Sequence, residues 1–592
     1  MSFPHRAESA VLGSTPELPW LLLLFGVLLA VGCADSPSSA PESSRRVSFE
    51  DVTAQARLDG FRHQTGAFGE KWFPETMGSG SGVIDYNGDG LPDILLVGGG
   101  VWAESEAELG HALWLYRNDG DGTFTLVTEE AGLAEVDAYG FGVAVADYNN
   151  DRHADFLLTT LNRNLLFRND GDGTFTEVGQ EAGLTDSPQW SSSALFFDAD
   201  NDGHLDLYIG NYVAWSRETD LFCSVDGETK AYCTPEEYDG AEGRYYHNDG
   251  DGTFTHQSEQ AGFRPSPGKG LGVTMLDYNR DGWMDLYVAN DMERNLLYEN
   301  DGDGTFTERG RVSGTAYSQS GRVRAGMGTD AGVVDSTGQP TIFVANFSRE
   351  KISVFRHQGD GLFTDRSATS RIGRPGKFTL GFGLFLFDAE LDGTLDLFVA
   401  NGHVQPDIER IDQSIRYAQR PHLFLNDGSG RFEEFETETG PLADSLVARG
   451  AAYGDYDGDG DLDILMTENE GGAHLWRNDV RRQSDGSGPN YLRVRLAGTE
   501  SNRDGIGARV RIKHGDESQE RLLRSGSSYL SANELVLTFG LGQATQIDSV
   551  AVEWPSGEVD RRADVGVNQT LRVVEGETSA PPPTADAAGL SR

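Results

Sequence analysis

Short apolar stretches set between runs of Asp, Asn and Gly give this chain its rhythm. Ile94-Leu95-Leu96-Val97, Phe156-Leu157-Leu158 and Leu207-Tyr208-Ile209 are β-prone and too short for helices, which predicts strands joined by tight turns. Ahead of each stands a loop with oxygen-bearing side chains at relative positions 1, 3, 5 and 9. These are Asp85, Asn87, Asp89 and Asp93 in the first loop, then Asp147, Asn149, Asp151 and Asp155, and then Asp198, Asp200, Asp202 and Asp206. The pattern recurs at Asp277, Asn279, Asp281 and Asp285, at Asp388, Glu390, Asp392 and Asp396, and at Asp455, Asp457, Asp459 and Asp463.

Calcium is a hard cation that takes about six to eight oxygen ligands, and alternate carboxylates around a Gly turn can wrap one. The residue at position 7 would add its backbone carbonyl. The bidentate Glu of an EF-hand is missing, and strands rather than helices follow. A single copy would equally serve as a metal-free turn between strands. Six copies with one spacing predict about six structural Ca2+ sites. A seventh unit puts Val333, Asp335, Thr337 and Thr341 at the four positions, ahead of an intact Ile342-Phe343-Val344-Ala345-Asn346. That unit is expected to keep its strands and hold no tight metal.

A second motif alternates with the loops. Asn118-Asp119-Gly120-Asp121-Gly122-Thr123-Phe124 returns with its Phe at 175, 254 and 306, and in worn form at Phe363 and Phe432. Asp-Gly steps flanked by apolar residues signal hairpins, and these segments are read as turns rather than ligands. Insertions follow the loops at 85, 198 and 388 and are expected on one face; the largest, about 213–243, holds two cysteines. The last unit reaches its hairpin at Asn478 without a Phe-led strand, while Phe49-Glu50-Asp51-Val52 near the other end has no loop before it. A linear solenoid would leave these matching ends unexplained. A ring closed by the N-terminal strand uses both and leaves no open sheet edge. The expected fold is therefore all-β: a seven-bladed β-propeller over 47–480.

Residues 481–489 read as a linker. Beyond it Tyr491–Leu496, Ala508–Ile512 and Ser549–Trp554 alternate with period two, which predicts a small β domain over 490–575. Ser501-Asn502-Arg503-Asp504-Gly505-Ile506-Gly507-Ala508, Arg524-Ser525-Gly526-Ser527-Ser528-Tyr529, Phe539-Gly540-Leu541-Gly542 and Val552-Glu553-Trp554-Pro555 resemble the ASPIC and UnbV domain. Gly140-Phe141-Gly142-Val143-Ala144-Val145-Ala146-Asp147 has the look of an FG-GAP repeat, and Asn401-Gly402-His403-Val404 resembles bacterial members. The chain thus resembles FG-GAP/VCBS-repeat propellers with a C-terminal ASPIC and UnbV domain, as in proteins similar to cartilage acidic protein. The resemblance implies an extracellular calcium-binding propeller.

Composition narrows the partners. A formal net charge of -46 over 592 residues excludes nucleic acid, whose phosphates demand a basic surface. Residues 1–33 read as a signal peptide, with the apolar core Leu21–Gly32, too short for a membrane span. Its end, Leu29-Ala30-Val31-Gly32-Cys33, resembles a bacterial lipobox, making Cys33 the expected lipidation site. An ordinary secretory signal is the alternative. Residues 34–46 suit a flexible tether, and 576–592 are Pro- and Ala-rich enough to stay disordered. Cys223 and Cys233 are expected to pair as a disulfide, with zinc the weaker alternative for want of partner ligands. Localisation is expected to be exported: outer membrane, cell surface or secreted.

No catalytic constellation is evident. His403 opens an insertion, and the serines of 524–529 lack the strand-turn-helix setting of a nucleophile. The expected function is a non-enzymatic, calcium-stabilised adhesion module for protein or glycan at the cell envelope. The alternative is a polysaccharide lyase or hydrolase with a His/Tyr/Arg cluster drawn from 213–243 and 402–420 at one mouth of the ring.

Overall fold

In the computed structural model the residues described are 47–102, 110–185, 189–224, 227–263, 268–482 and 488–577, within one compact unit spanning Arg46–Arg592. The stretches expected to be a signal peptide ending at Cys33 and a tether at 34–46, the middle of the expected linker and the residues beyond 577 lie outside them. Seven four-stranded antiparallel sheets follow one another along the chain and form a β-propeller. The first is built from Ser81–Ile84, Asp93–Val97, Leu113–Asn118 and Phe124–Leu126. In each of the six intact units the carboxylate loop joins the first and second strands, and in all of them but the last the Asp-Gly hairpin joins the third and fourth, so both fall on one end of the blade. In the seventh sheet the fourth strand is Phe49–Asp51, which pairs with Ala473–Asn478 in the register Phe49 to Asn478. The N-terminal strand therefore closes the ring.

The core lies between neighbouring sheets. Ile94, Leu96 and Phe124 of the first blade pack with Leu465 and Leu475 of the seventh and with Leu58 and Phe61 of the segment after the closing strand. The first strand of most blades is buried along its whole length, as in Gly140–Ala146, Ser191–Phe197 and Gly381–Phe387. A strand covered on both faces reads as a continuous apolar or small run rather than an alternating one.

What covers these inner strands is the C-terminal domain. That domain has a three-stranded sheet (Leu537–Gly542, Asn490–Ala497, Gln569–Val574) and a four-stranded one (Glu517–Leu522, Arg509–His514, Gln546–Glu553, Val559–Gly566). Between Leu522 and Leu537 its chain runs down the propeller channel and bonds to every blade. Ser531 accepts from Ser81 N–H, Leu530 O from Val143 N–H, and Ser525 Oγ from Phe196 N–H. Thr274 donates to Gly526 O, Thr329 N–H to Ser528 O, Leu384 N–H to Ser528 Oγ, and Ser528 Oγ to Ala451 O. The glycines of the inner strands make room for this plug. A Cβ on Gly80 would run into the Leu530 carbonyl, and one on Gly142 would meet the Leu530 backbone at 2.9 Å.

Candidate metal centres

Each loop is wound by its own carboxylates. The position-1 side chain accepts the N–H of residue 6, as Asp85 does from Gly90 at 3.1 Å and Asp198 from Gly203 at 3.0 Å. The left-handed backbone needed at residue 6 suits Gly, yet Arg152 adopts it at φ +79° in the second loop. Position 9 has a different task. Asp285 takes the N–H of Tyr278 on one oxygen and that of Asn300 on the other, both at 2.9 Å. Asp93, Asp155, Asp206, Asp396 and Asp463 repeat this with Asn118, Asn169, Asn248, Asn426 and Asn478.

The hairpin Asn then ties blades together. Asn169 donates through Nδ2 to Ala154 O in its own blade and to Tyr86 O in the blade before, and Asn118 reaches back across the closure to Tyr456 O at 2.7 Å. The hairpin is thus a joint between neighbouring blades, which its Asp-Gly turn signal does not announce.

Among the described residues two of the six loops gather three carboxylates closely. Position 9 is buried in all six loops, and position 1 in all but the first, where it is half-buried. Asp198, Asp200 and Asp202 bring carboxylate oxygens within 4.8 Å of one another, as do Asp455, Asp457 and Asp463. Burial, with neighbouring carboxylates adding to it, pushes Asp155 up to about 9 and Asp93 and Asp198 to about 8. Asp85 Oδ1, Asp455 Oδ1 and Asp461 Oδ1 are buried without a hydrogen-bond partner. Orphaned, mutually repelling carboxylate oxygens fit a hard divalent cation. Asp461, at position 7 of the last loop, offers a side chain where only a carbonyl was expected. In the fifth unit Asp335 pairs instead with Arg356, and Arg280 donates to Gly338 O.

The C-terminal domain covers this loop face. Arg495 pairs with Asp85 at 3.1 Å, Arg509 with Asp277 at 2.8 Å and Arg493 with Asp455 at 3.2 Å. Gly540 N–H donates to Asp388, and Asp147 N–H to Asp504. The linker is pinned rather than free at its start: Arg482 pairs with Asp457 and Asp459.

The opposite face carries the insertions. Gln405 donates to Tyr232 O, joining the third-blade insertion to the sixth-blade one, and Trp102 of the first-blade insertion lies 6.0 Å from Trp215. Cys223 and Cys233 form a disulfide in the largest insertion. Phe73 stacks on Tyr238, and the segment around it closes the channel at this end, where Tyr529 donates to Met77 O. His403 is buried under its insertion, bonded to Ser348 and Gln405 N–H, and burial pulls it down to about 4. The serines of 525 and 528 are committed to the plug.

The FG-GAP-like repeat model matches residues 85–158, 147–209, 219–288, 277–326 and 409–466, and the ASPIC and UnbV model matches 498–580. The chain belongs to the FG-GAP-repeat propellers that carry an ASPIC and UnbV domain. It is 27% identical over 362 residues to cartilage acidic protein 1 of Mus musculus, covering 52% of this chain and 55% of the relative. The Xenopus tropicalis protein of that name is 23% identical over 528 residues, covering 84% and 74%. The FG-GAP chain thus spans about half the length of the mouse relative. An Agrocybe aegerita lectin, described as recognising non-reducing terminal N-acetylglucosamine, is 18% identical over 61% of this chain and 80% of its own, with a TM-score of 0.37. A putative gluconolactonase is 10% identical over 73% and 91%, with a TM-score of 0.30. Scores this low carry no argument. Among the described residues no helix is long and apolar enough to cross a membrane, which says nothing of a β-barrel. The disulfide and the relation to cartilage acidic protein 1 agree with an extracellular protein.

Proposed function

We propose that this chain is an exported, calcium-stabilised binding module, held at the cell envelope by a lipid on Cys33, that takes a protein or glycan on its insertion face without catalysing a reaction. One observation carries the reading: the loop face lies under the ASPIC and UnbV domain and the channel is filled by its plug, so the insertion face remains for a partner. Calcium would sit in the six carboxylate loops, held by their position-1, -3, -5 and -9 oxygens, and would supply structure rather than chemistry. Phe222, 64% accessible beside the disulfide, is the most exposed large apolar residue among the described residues of the insertions.

Elemental analysis of the chain lacking 1–33, paired with melts with and without chelator, tests the calcium part. About six calcium per chain and a large drop in Tm on chelation are expected; a metal-free chain with an unchanged melt refutes it. Binding is tested by probing matrix-protein and glycan arrays with wild type and Phe222→Ser, the variant being expected to lose the signal.

An enzymatic reading draws on Tyr232, which donates to the buried Glu75 at 2.9 Å under Lys71, with burial raising the Glu75 carboxyl. Turnover of a polysaccharide abolished in Tyr232→Phe would favour a lyase or hydrolase over the binding module.

A further inference from the structure

Arginines divide the six carboxylate loops into two classes. Asp85, Asp277 and Asp455 each set Oδ2 against a guanidinium of the C-terminal domain, and in the last loop Arg482 adds a second cation. Among the described residues Asp147, Asp198 and Asp388 have no Arg or Lys at ion-pair distance; Arg521 stops at Gly393 O, 3.0 Å away, and His247 pairs with position-9 Asp206 rather than with Asp198. Their Oδ2 atoms take backbone N–H groups, from Arg152, Gly203 and both Gly393 and Gly540 respectively. In two of these three loops the other oxygen is left over: Asp85 Oδ1 and Asp455 Oδ1 are buried and unpartnered, with Asp455 only 1% exposed, while Asp277 Oδ1 accepts the N–H of Asp281 at 3.1 Å. In those two loops one carboxylate therefore offers an oxygen to the arginine and an oxygen to a cation.

The fifth unit extends the series. There Arg356 and Arg280 reach Asp335 and Gly338 O in a loop that has lost the acids of positions 1, 5 and 9. A guanidinium beside crowded carboxylates relieves their repulsion when no metal is bound, and it repels a divalent ion that arrives.

We propose that Arg495, Arg509 and Arg493 are resident counter-ions that weaken calcium binding in the loops of Asp85, Asp277 and Asp455, leaving the loops of Asp147, Asp198 and Asp388 as the tight sites. This rests on the calcium reading above. The three braced loops then keep the C-terminal domain docked when calcium is scarce, while the other three answer to calcium concentration.

The test is calorimetric titration of calcium into the chelator-stripped chain lacking 1–33. Wild type is expected to show three tight and three weak sites. Arg495→Gln is expected to give four tight and two weak, its site gaining about tenfold in affinity or more, and the Arg495→Gln/Arg509→Gln pair five and one. Arg495→Lys keeps the charge and is expected to behave as wild type. Among the described residues Arg495 pairs with Asp85 and bonds Gly90 O, and because its charge also acts on Asp504, a melt in saturating calcium checks folding. A merely structural arginine would make the variant site weaker, so an unchanged or weakened site in Arg495→Gln overturns the proposal. Six equal sites in wild type overturn it too, while leaving the calcium reading standing. No calcium binding at all overturns both.

Discussion

Thr341 and His357 stand together at the two positions where the other six blades carry a hydrogen-bonded Asp and Asn. Elsewhere the Asp takes the Asn backbone N–H and the Asn side chain reaches the neighbouring blade. Losing one member alone would strand a buried polar group, which costs more than losing both. His357 keeps a bond from Gly359 N–H, and its Nε2 is unpartnered. Thr341→Asp alone is expected to destabilise by about 2–4 kcal/mol, and Thr341→Asp/His357→Asn to recover at least ~1 kcal/mol of that. Urea unfolding of the two single variants and the double variant measures the coupling.

Asn169 tests the intact joint. Its Nδ2 donates to Tyr86 O at 2.7 Å, in buried surroundings, and to the half-buried Ala154 O at 3.1 Å. Asn169→Ala orphans two carbonyls and is expected to cost about 2–4 kcal/mol. Hydrogen exchange should rise along the seam between the first and second blades ahead of the others.

The ring closure carries a pH signature. His474 lies 3.6 Å from Asp51 of the closing strand and 2.9 Å from Glu468. Burial lowers the imidazole, but bonds to these carboxylates outweigh it and raise His474 to about 9. Asp51, raised by burial, is brought down to about 2 by His474 and Thr53. A raised histidine stabilises fully below its unfolded value near 6.5 and loses that contribution as pH climbs through about 9. The depressed Asp51 contributes above 3.8 and is lost as pH falls through about 2. Because Asp51 is partly exposed, the total is on the order of 1–2 kcal/mol. In His474→Gln the fall in Tm between pH 6.5 and 9 is expected to flatten; the same slope in both proteins would place the titration elsewhere.

Gly80 is where the plug comes closest to the ring. Gly80→Val would drive a branched side chain into the Leu530 carbonyl, an overpacking expected to cost about 3 kcal/mol or more. Limited proteolysis should then cut near 524–534, a stretch the wild type protects.

The blades were legible because each is local: a loop, four strands and a hairpin recur within a short span, and Phe49 supplies the strand that Asn478 lacks. The loop residues were legible for the same reason. What periodicity could not reveal is chemistry that crosses the chain. Arg495 and Asp85 are far apart in sequence, and no spacing rule links a guanidinium in a β strand to a loop four hundred residues earlier. The double glycine of Gly140-Phe141-Gly142 carried a signal in plain sight, since small residues in a buried strand mark a close approach, by Leu530 at Gly142 and by Val97 and Leu158 at Gly140. The Asn that opens each hairpin was equally visible, but its Asp-Gly partner explained the turn and concealed the joint.

The plug also sets an order of events in time. Phe49 pairs with Asn478, and Ser531 must reach Ser81 across a separation of 450 residues. Contacts so remote in sequence form late and slowly. The first strand to emerge during synthesis therefore waits unpaired for the last blade, and the wheel must either assemble around the incoming 524–534 segment or open once to admit it. A ribosome or translocon releasing the chain from its N-terminus would deliver the axle after the wheel. Truncations that end before residue 524 are then arrested rims, with bare inner strands exposed to one another and to other copies.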